Sequence, residues 1–134
     1  MPLKSKKKTL TPKQKKLHNF SLGSQGETQA VSFLIRQNFE ILATNFSVKN
    51  KEVDIVAFDP RYQEVVFVEV KSRETGFYGD PSYAVNNHKL ANLRYVAKVF
   101  LNQKKLEFDY RFDIITVVDG KITHYENVTW VDRN

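Results

Sequence analysis

The strongest constraint on the fold is the stretch Val65-Val66-Phe67-Val68, apolar at every position and followed at once by Glu69-Val70-Lys71. Side chains of a strand point alternately to its two faces, so a strand that is apolar on both must be covered on both. The run therefore predicts a central strand with layers packed on either side of its sheet. It also makes the next three residues unusual. Glu69 and Lys71 share strand parity and point the same way, just where a buried strand emerges. Taken by itself, such a Glu-Val-Lys reads as a solvent-facing ion pair of little energetic weight.

Around that run the expected order of elements is α-β-β-β-α-β-β. Ser24-Gln25-Gly26-Glu27 matches a capping box, in which the serine and the glutamate each satisfy a free backbone N–H of a helix start. The helix extends to about Asn38 and carries Glu27, Ala30, Val31 and Leu34 on one face. Strand-forming stretches follow from Glu40 to Val48, Glu52 to Phe58 and Glu64 to Lys71. Lys49-Asn50-Lys51 and Asp59-Pro60-Arg61 separate them as hairpin turns. A loop with Gly76, Gly79 and Pro81 leads to a second helix, near Asn86 to Lys104, with Leu90, Leu93, Ala97, Phe100 and Leu101 as its buried stripe. Strands from Phe112 to Val118 and from Ile122 to Tyr125 flank Asp119-Gly120, a strong hairpin signal. The expected class is α/β, a mixed central sheet flanked by helices, and 134 residues suffice for one such core.

Composition narrows the chemistry. With no cysteine, any metal must be held by oxygen or histidine, and His18, His88 and His124 show no ligand spacing. No apolar run is long enough to cross a bilayer, and no apolar segment follows the lysine-rich start, so the cytoplasm is the expected location and no membrane partner is expected. The net charge of +6 is unevenly spread. Residues 1–22 hold Lys4, Lys6, Lys7, Lys8, Lys13, Lys15 and Lys16 and no acid; seven of the 21 basic residues lie there, leaving 14 against 15 acids beyond. The chain thus divides into a basic arm, 1–22, expected to be disordered, and a near-neutral domain, 23–134. Such an arm binds phosphates by counterion release without reading sequence, or serves only as a solubilising tail; both readings stay open.

A second strand changes the reading of Glu69. Glu52-Val53-Asp54-Ile55-Val56-Ala57 places another acid inside a β-branched run, one hairpin away. If the strands pair, Asp54 and Glu69 converge, and like charges repel unless a cation lies between them. Magnesium, or manganese, wants hard oxygen ligands and is typically held by one or two carboxylates plus waters and substrate phosphate. Lys71 would complete the site, because phosphodiester hydrolysis builds negative charge on the phosphoryl oxygens. Glu27 has its capping role, yet it shares a face with buried residues and wants a partner, which a metal-bound water or Lys71 would supply. Glu52 lies nearer the turn and reads as a solvated edge charge. Lys89, early in the second helix, reads as a phosphate contact or as an ordinary exposed lysine.

Five motifs follow one another in order: Gly23-x-x-Gly26-Glu27, Glu52-Val53-Asp54-Ile55-Val56-Ala57, Val66-Phe67-Val68-Glu69-Val70-Lys71-Ser72-Arg73, Tyr78-Gly79-Asp80-Pro81 and Arg111-Phe112-Asp113. Together, over roughly Leu22 to Val118, they resemble the YraN-like family of small bacterial proteins. That family is itself similar to archaeal Holliday junction resolvases in the PD-(D/E)XK nuclease superfamily. The resemblance implies a restriction-endonuclease-like core, Asp54 and Glu69 as metal ligands, Lys71 as the catalytic lysine and Glu27 as a helix-borne acid. Lys89 matches a lysine the family often has after its Ala-Val pair, here Ala84-Val85. The chain departs from the pattern at Lys51, usually glycine, and at Ser47, usually arginine. The first bears on the hairpin and the second removes a phosphate contact.

The expected activity is that of a magnesium- or manganese-dependent endonuclease acting on DNA, with branched, repair or recombination intermediates among the candidate substrates. A homodimer stays open. The alternative is a non-catalytic nucleic-acid-binding protein that keeps the fold and uses its lysine arm. The set Asp54, Glu69 and Lys71 argues against it, because a protein that only binds has no reason to keep acids that repel phosphate.

Overall fold

The computed structural model describes residues 25–73 and 87–128. Lys6, Lys7, Lys8, Lys13, Lys15 and Lys16 of the arm, Ser24 of the expected capping box and the loop around Gly76, Gly79 and Pro81 lie outside these residues. Within them run α1 (Gln25–Arg36), β1 (Glu40–Val48), β2 (Lys51–Asp59), β3 (Glu64–Arg73), α2 (Asn87–Lys104), β4 (Asp109–Val118) and β5 (Lys121–Tyr125), in the expected order.

The strands form one sheet in chain order, β1-β2-β3-β4-β5. Neighbours are antiparallel except β3 and β4, which α2 connects and which run parallel from Glu64↔Asp109 to Arg73↔Val118. β3 is thus the middle strand, and its apolar run is covered on both sides as its alternation demands. Val65 and Phe67 join a core with Leu90, Leu93, Val96, Ala97 and Phe100 of α2. Val66 and Val68 join another with Ala30, Val31 and Leu34 of α1. Val65, Val66 and Val68 are wholly buried, and each such side chain contributes about 1.5–3 kcal/mol relative to exposure. On the α2 side the Phe67 ring meets Phe100, Tyr110 and Phe112 at centroid distances of 5.8–5.9 Å.

The boundaries that differ from expectation have local causes. α1 stops at Arg36 and not near Asn38, because Asn38 turns left-handed with φ 72°. Asn38 N–H then donates to Ile35 O at 2.9 Å and Phe39 N–H to Leu34 O at 3.0 Å, closing a Schellman cap. Lys105 does the same after α2, with φ 55° and a bond from Leu106 N–H to Leu101 O at 2.9 Å. The β4 strand begins at Asp109, three residues before the expected Phe112, because the charges of Asp109 and of the buried Arg111 disguise its start. Asp119 and Gly120 take φ 52° and 80°, the two left-handed positions of a type I′ turn. Lys49 opens the β1–β2 hairpin at φ 59°, and Lys51 already belongs to β2. Among the described residues, no helix is long and apolar enough to cross a membrane.

Candidate active site

The β2–β3 pairing runs from Asp59↔Glu64 to Ile55↔Val68 and stops there, while β3 continues alongside β4. The next pair would be Asp54 and Glu69. At this fork the Asp54 carboxylate takes the place of a ladder partner: Val70 N–H donates to its Oδ2 at 2.8 Å. Asp54 shares strand parity with Val56, and Glu69 and Lys71 share it with Phe67; both reference residues belong to the α2-side core. Glu69 and Lys71 therefore share one side of β3, whereas Val53 joins the same core as Val56, so β2 departs from strict alternation around Asp54. Lys71 Nζ lies 3.2 Å from Glu69 Oε2, with each side chain 21% exposed, so this pair is half-buried and not the solvated pair that a lone Glu-Val-Lys suggests.

Glu27 arrives from α1. An added Cβ on Gly26 would stand 2.7 Å from both Cβ and Oγ of Ser72, so only glycine lets the helix start settle on the end of β3. That contact delivers Glu27, half-buried, to the fork, where Asn45 of β1 donates from Nδ2 to Glu27 Oε1 at 3.2 Å. Burial pushes the Asp54 carboxyl up to about 6; the Val70 N–H opposes this, while the charges of Glu27, Glu69 and Glu52 add to it. Glu52 itself is exposed, as expected. Lys89 stands in the first turn of α2, and its side chain lies outside the described residues.

The donor set suits a hard divalent ion that keeps part of its hydration shell. Among the described residues, no group of three or more His, Asp or Glu is gathered closely enough to hold an ion by protein ligands alone. Asp54 and Glu69 offer carboxylate oxygens from adjacent strands, and magnesium commonly relies on one or two carboxylates with waters and phosphate completing the shell. The excess negative charge around Asp54 is what such an ion relieves.

At the other end of the sheet lies a charged network that the reading of the sequence missed. The Arg111 guanidinium, 5% exposed, holds Asp113 through Nε at 3.0 Å and Nη2 at 3.1 Å, and reaches Glu64 at 2.8 Å and Asp59 at 2.9 Å through Nη1. Asp113 also takes the backbone N–H of Asn127 at 2.9 Å and stands 2.7 Å from His124 Nε2. Arg61 holds Asp59 through Nε and Nη2 at 3.0 and 2.7 Å and bridges to Glu126 at 2.7 Å. Beside it, Phe33, Gln37, Phe39, Arg61, His124 and Glu126 line a cleft of about 460 Å³. The available signal was Arg111-Phe112-Asp113, two charges of equal parity within a β-forming run.

A family profile described as "Uncharacterised protein family UPF0102" matches residues 26–117, a span that contains Glu27, Asp54, Glu69 and Lys71. A UPF0102 protein of Geobacter metallireducens is 41% identical over 114 residues, covering 84% of this chain and 92% of the relative. One from Thermodesulfovibrio yellowstonii is 37% identical over 106 residues, covering 79% and 93%. Among solved structures, a repair endonuclease from Pyrococcus abyssi aligns with a TM-score of 0.42 at 10% identity, over 81% of this chain and 43% of that one.

Proposed function

The chain belongs to the uncharacterised protein family UPF0102, and from that premise we propose that it is a divalent-metal-dependent nuclease hydrolysing DNA phosphodiester bonds at the β2–β3 fork. One observation carries the reading. A half-buried Asp54, which accepts Val70 N–H at 2.8 Å, feels the charges of Glu27, Glu69 and Glu52 and is pushed up to about 6, while the Lys71 ammonium is held 3.2 Å from Glu69. In the Arg111 network, by contrast, the buried carboxylates Asp59 and Asp113 are each held by a guanidinium.

In this reading Asp54, oriented by Val70 N–H, and Glu69 would hold a magnesium or manganese ion. When bound there, such an ion would supply charge neutralisation and lower the pKa of a water it binds. Glu27 orients groups on the helix side of the site. Hydrolysis adds a water oxygen to phosphorus and breaks one phosphorus–oxygen ester bond, and negative charge grows on the non-bridging oxygens as it proceeds. The Lys71 ammonium, fixed by Glu69, stabilises that charge. The arm lysines, and Lys89, contribute affinity for the DNA backbone without reading its sequence.

Lys71→Ala tests this assignment against a protein that only binds nucleic acid. Cleavage should fall by on the order of a hundredfold or more, the usual loss for one electrostatic stabiliser, while DNA affinity and metal-induced stabilisation persist. Glu69→Ala should lose cleavage and metal response together. Undiminished cleavage in both variants would place the chemistry elsewhere.

A further inference from the structure

Seven non-glycine residues among those described have a left-handed backbone. Asn38 and Lys105 cap helices, Lys49, Gln63 and Asp119 lie in turns, and Asn127 follows β5; Asn45, with φ 51°, alone lies within a strand. Asparagine is disfavoured in strands, and a left-handed residue there gives up regular pairing. The β1–β2 register passes from Thr44↔Ile55 to Phe46↔Val53 without pairing Asn45, which lies opposite Asp54.

The left-handed position has a visible product. The Asn45 amide reaches a residue 18 positions away, donating to Glu27 Oε1 at 3.2 Å. A carboxylate can only accept, so the amide nitrogen and not its oxygen must face Glu27. Glu27 sits, half-buried, in the first turn of α1. It is approached from β1 by Asn45, while Gly26 seats its helix on Ser72 of β3. The two contacts bring an acid toward the half-buried Asp54, whose charge environment includes Glu27.

We propose that Asn45 is a positioning residue of the β2–β3 fork: from a left-handed backbone within β1, its amide clamps Glu27 beside Asp54. The inference rests on the nuclease reading, because a clamp on Glu27 matters only if Glu27 serves the site. It extends the site to β1, from which neither the motifs nor their spacing draw a member.

Asn45→Gly is the informative variant, since glycine adopts φ near 51° freely and only the amide is lost. Asn45→Asp keeps a residue that tolerates this backbone but replaces the donor with a like charge. Both are compared with wild type for DNA cleavage, and, without DNA, for the manganese concentration giving half of the metal-induced thermal shift. With Asn45→Gly, kcat should fall about 10- to 100-fold at unchanged KM, or the manganese midpoint should rise by a similar factor, the usual cost of removing an outer-shell partner. Asn45→Asp should lose at least as much. In a Glu27→Ala background, Asn45→Gly should add no further loss, because the amide acts through Glu27.

Wild-type kcat and manganese midpoint in Asn45→Gly would overturn the proposal and leave the nuclease reading standing. So would an equal loss in the Glu27→Ala background. If Asn45→Gly does not fold, Asn45→Asp decides by the same two readouts. If wild type binds manganese but cuts no DNA, the nuclease reading falls, and Asn45 stands or falls on the manganese midpoint.

Discussion

Asp54 and Asp59 lie on the same strand, and their surroundings drive them in opposite directions. At Asp59, burial favours the neutral acid, but Arg61 through side chain and backbone, together with Arg111, holds the carboxyl below its ordinary range. At Asp54, burial also favours the neutral acid; one backbone N–H opposes it, and Glu27, Glu69 and Glu52 reinforce it, raising the carboxyl to about 6. Lys71, the ammonium at this end, is held by Glu69. The protein thus supplies its own cations where acids tie strands together and leaves Asp54 in excess negative charge. The difference separates a charge network that holds the fold from a cluster suited to an external cation.

Removing the built-in cation should have the largest effect. Arg111→Ala leaves Asp113, with no side-chain exposure, and Asp59, with 1%, short of their shared partner. Breaking a buried pair from one side typically costs about 3–5 kcal/mol, so urea denaturation should show a loss of that order. A loss below about 1 kcal/mol would mean that the network resembles a surface ion pair, and the comparison would fail.

Asp54→Asn should act in the other direction and more weakly. The amide oxygen can still accept from Val70 N–H, while the repelled charge disappears. A carboxyl raised from 3.8 to about 6 on folding makes ionisation costly to the folded state. That cost is absent below pH of about 4, grows between about 4 and 6 and is complete above it. Metal-free Asp54→Asn should therefore be more stable than wild type at pH 8, by on the order of 1–3 kcal/mol given 1.36 kcal/mol per pKa unit, with the gain vanishing toward pH 4. Asp59, lowered on folding, contributes stability that is present above the ordinary carboxylate range and lost as pH falls through its folded pKa. Melting curves across pH would sharpen the contrast. A variant no more stable than wild type at pH 8 would remove it.

Much of this contrast was legible in the sequence at one end of the sheet and hidden at the other. Val65 to Val68 announced the central strand because burial on both faces leaves a periodicity of its own. Asp54 and Glu69 stood out because each is an acid at the end of an apolar run, and a hairpin between their strands brings them together. Arg111 and Asp113 were masked because a buried ion pair looks, residue by residue, like a solvated strand face, and their partners Asp59 and Glu64 flank a turn where charge is ordinary. His124, without ligand spacing, showed no sign of its contact with Asp113, which the β4–β5 hairpin creates. Asn45 was unreadable for another reason: a left-handed residue inside a strand is a tertiary outcome that local propensity argues against.

The central claim is that the acids at the β2–β3 fork hold a divalent ion that serves phosphodiester hydrolysis. Its most direct test is cleavage of linear, flapped and four-way DNA by the full chain, with magnesium or manganese and with a chelator, for wild type and Asp54→Asn side by side. The account expects metal-dependent cutting of at least one substrate by wild type, abolished by the chelator and in Asp54→Asn while DNA binding persists. Tight binding with no cutting under any metal, or cutting that survives Asp54→Asn undiminished, would contradict it.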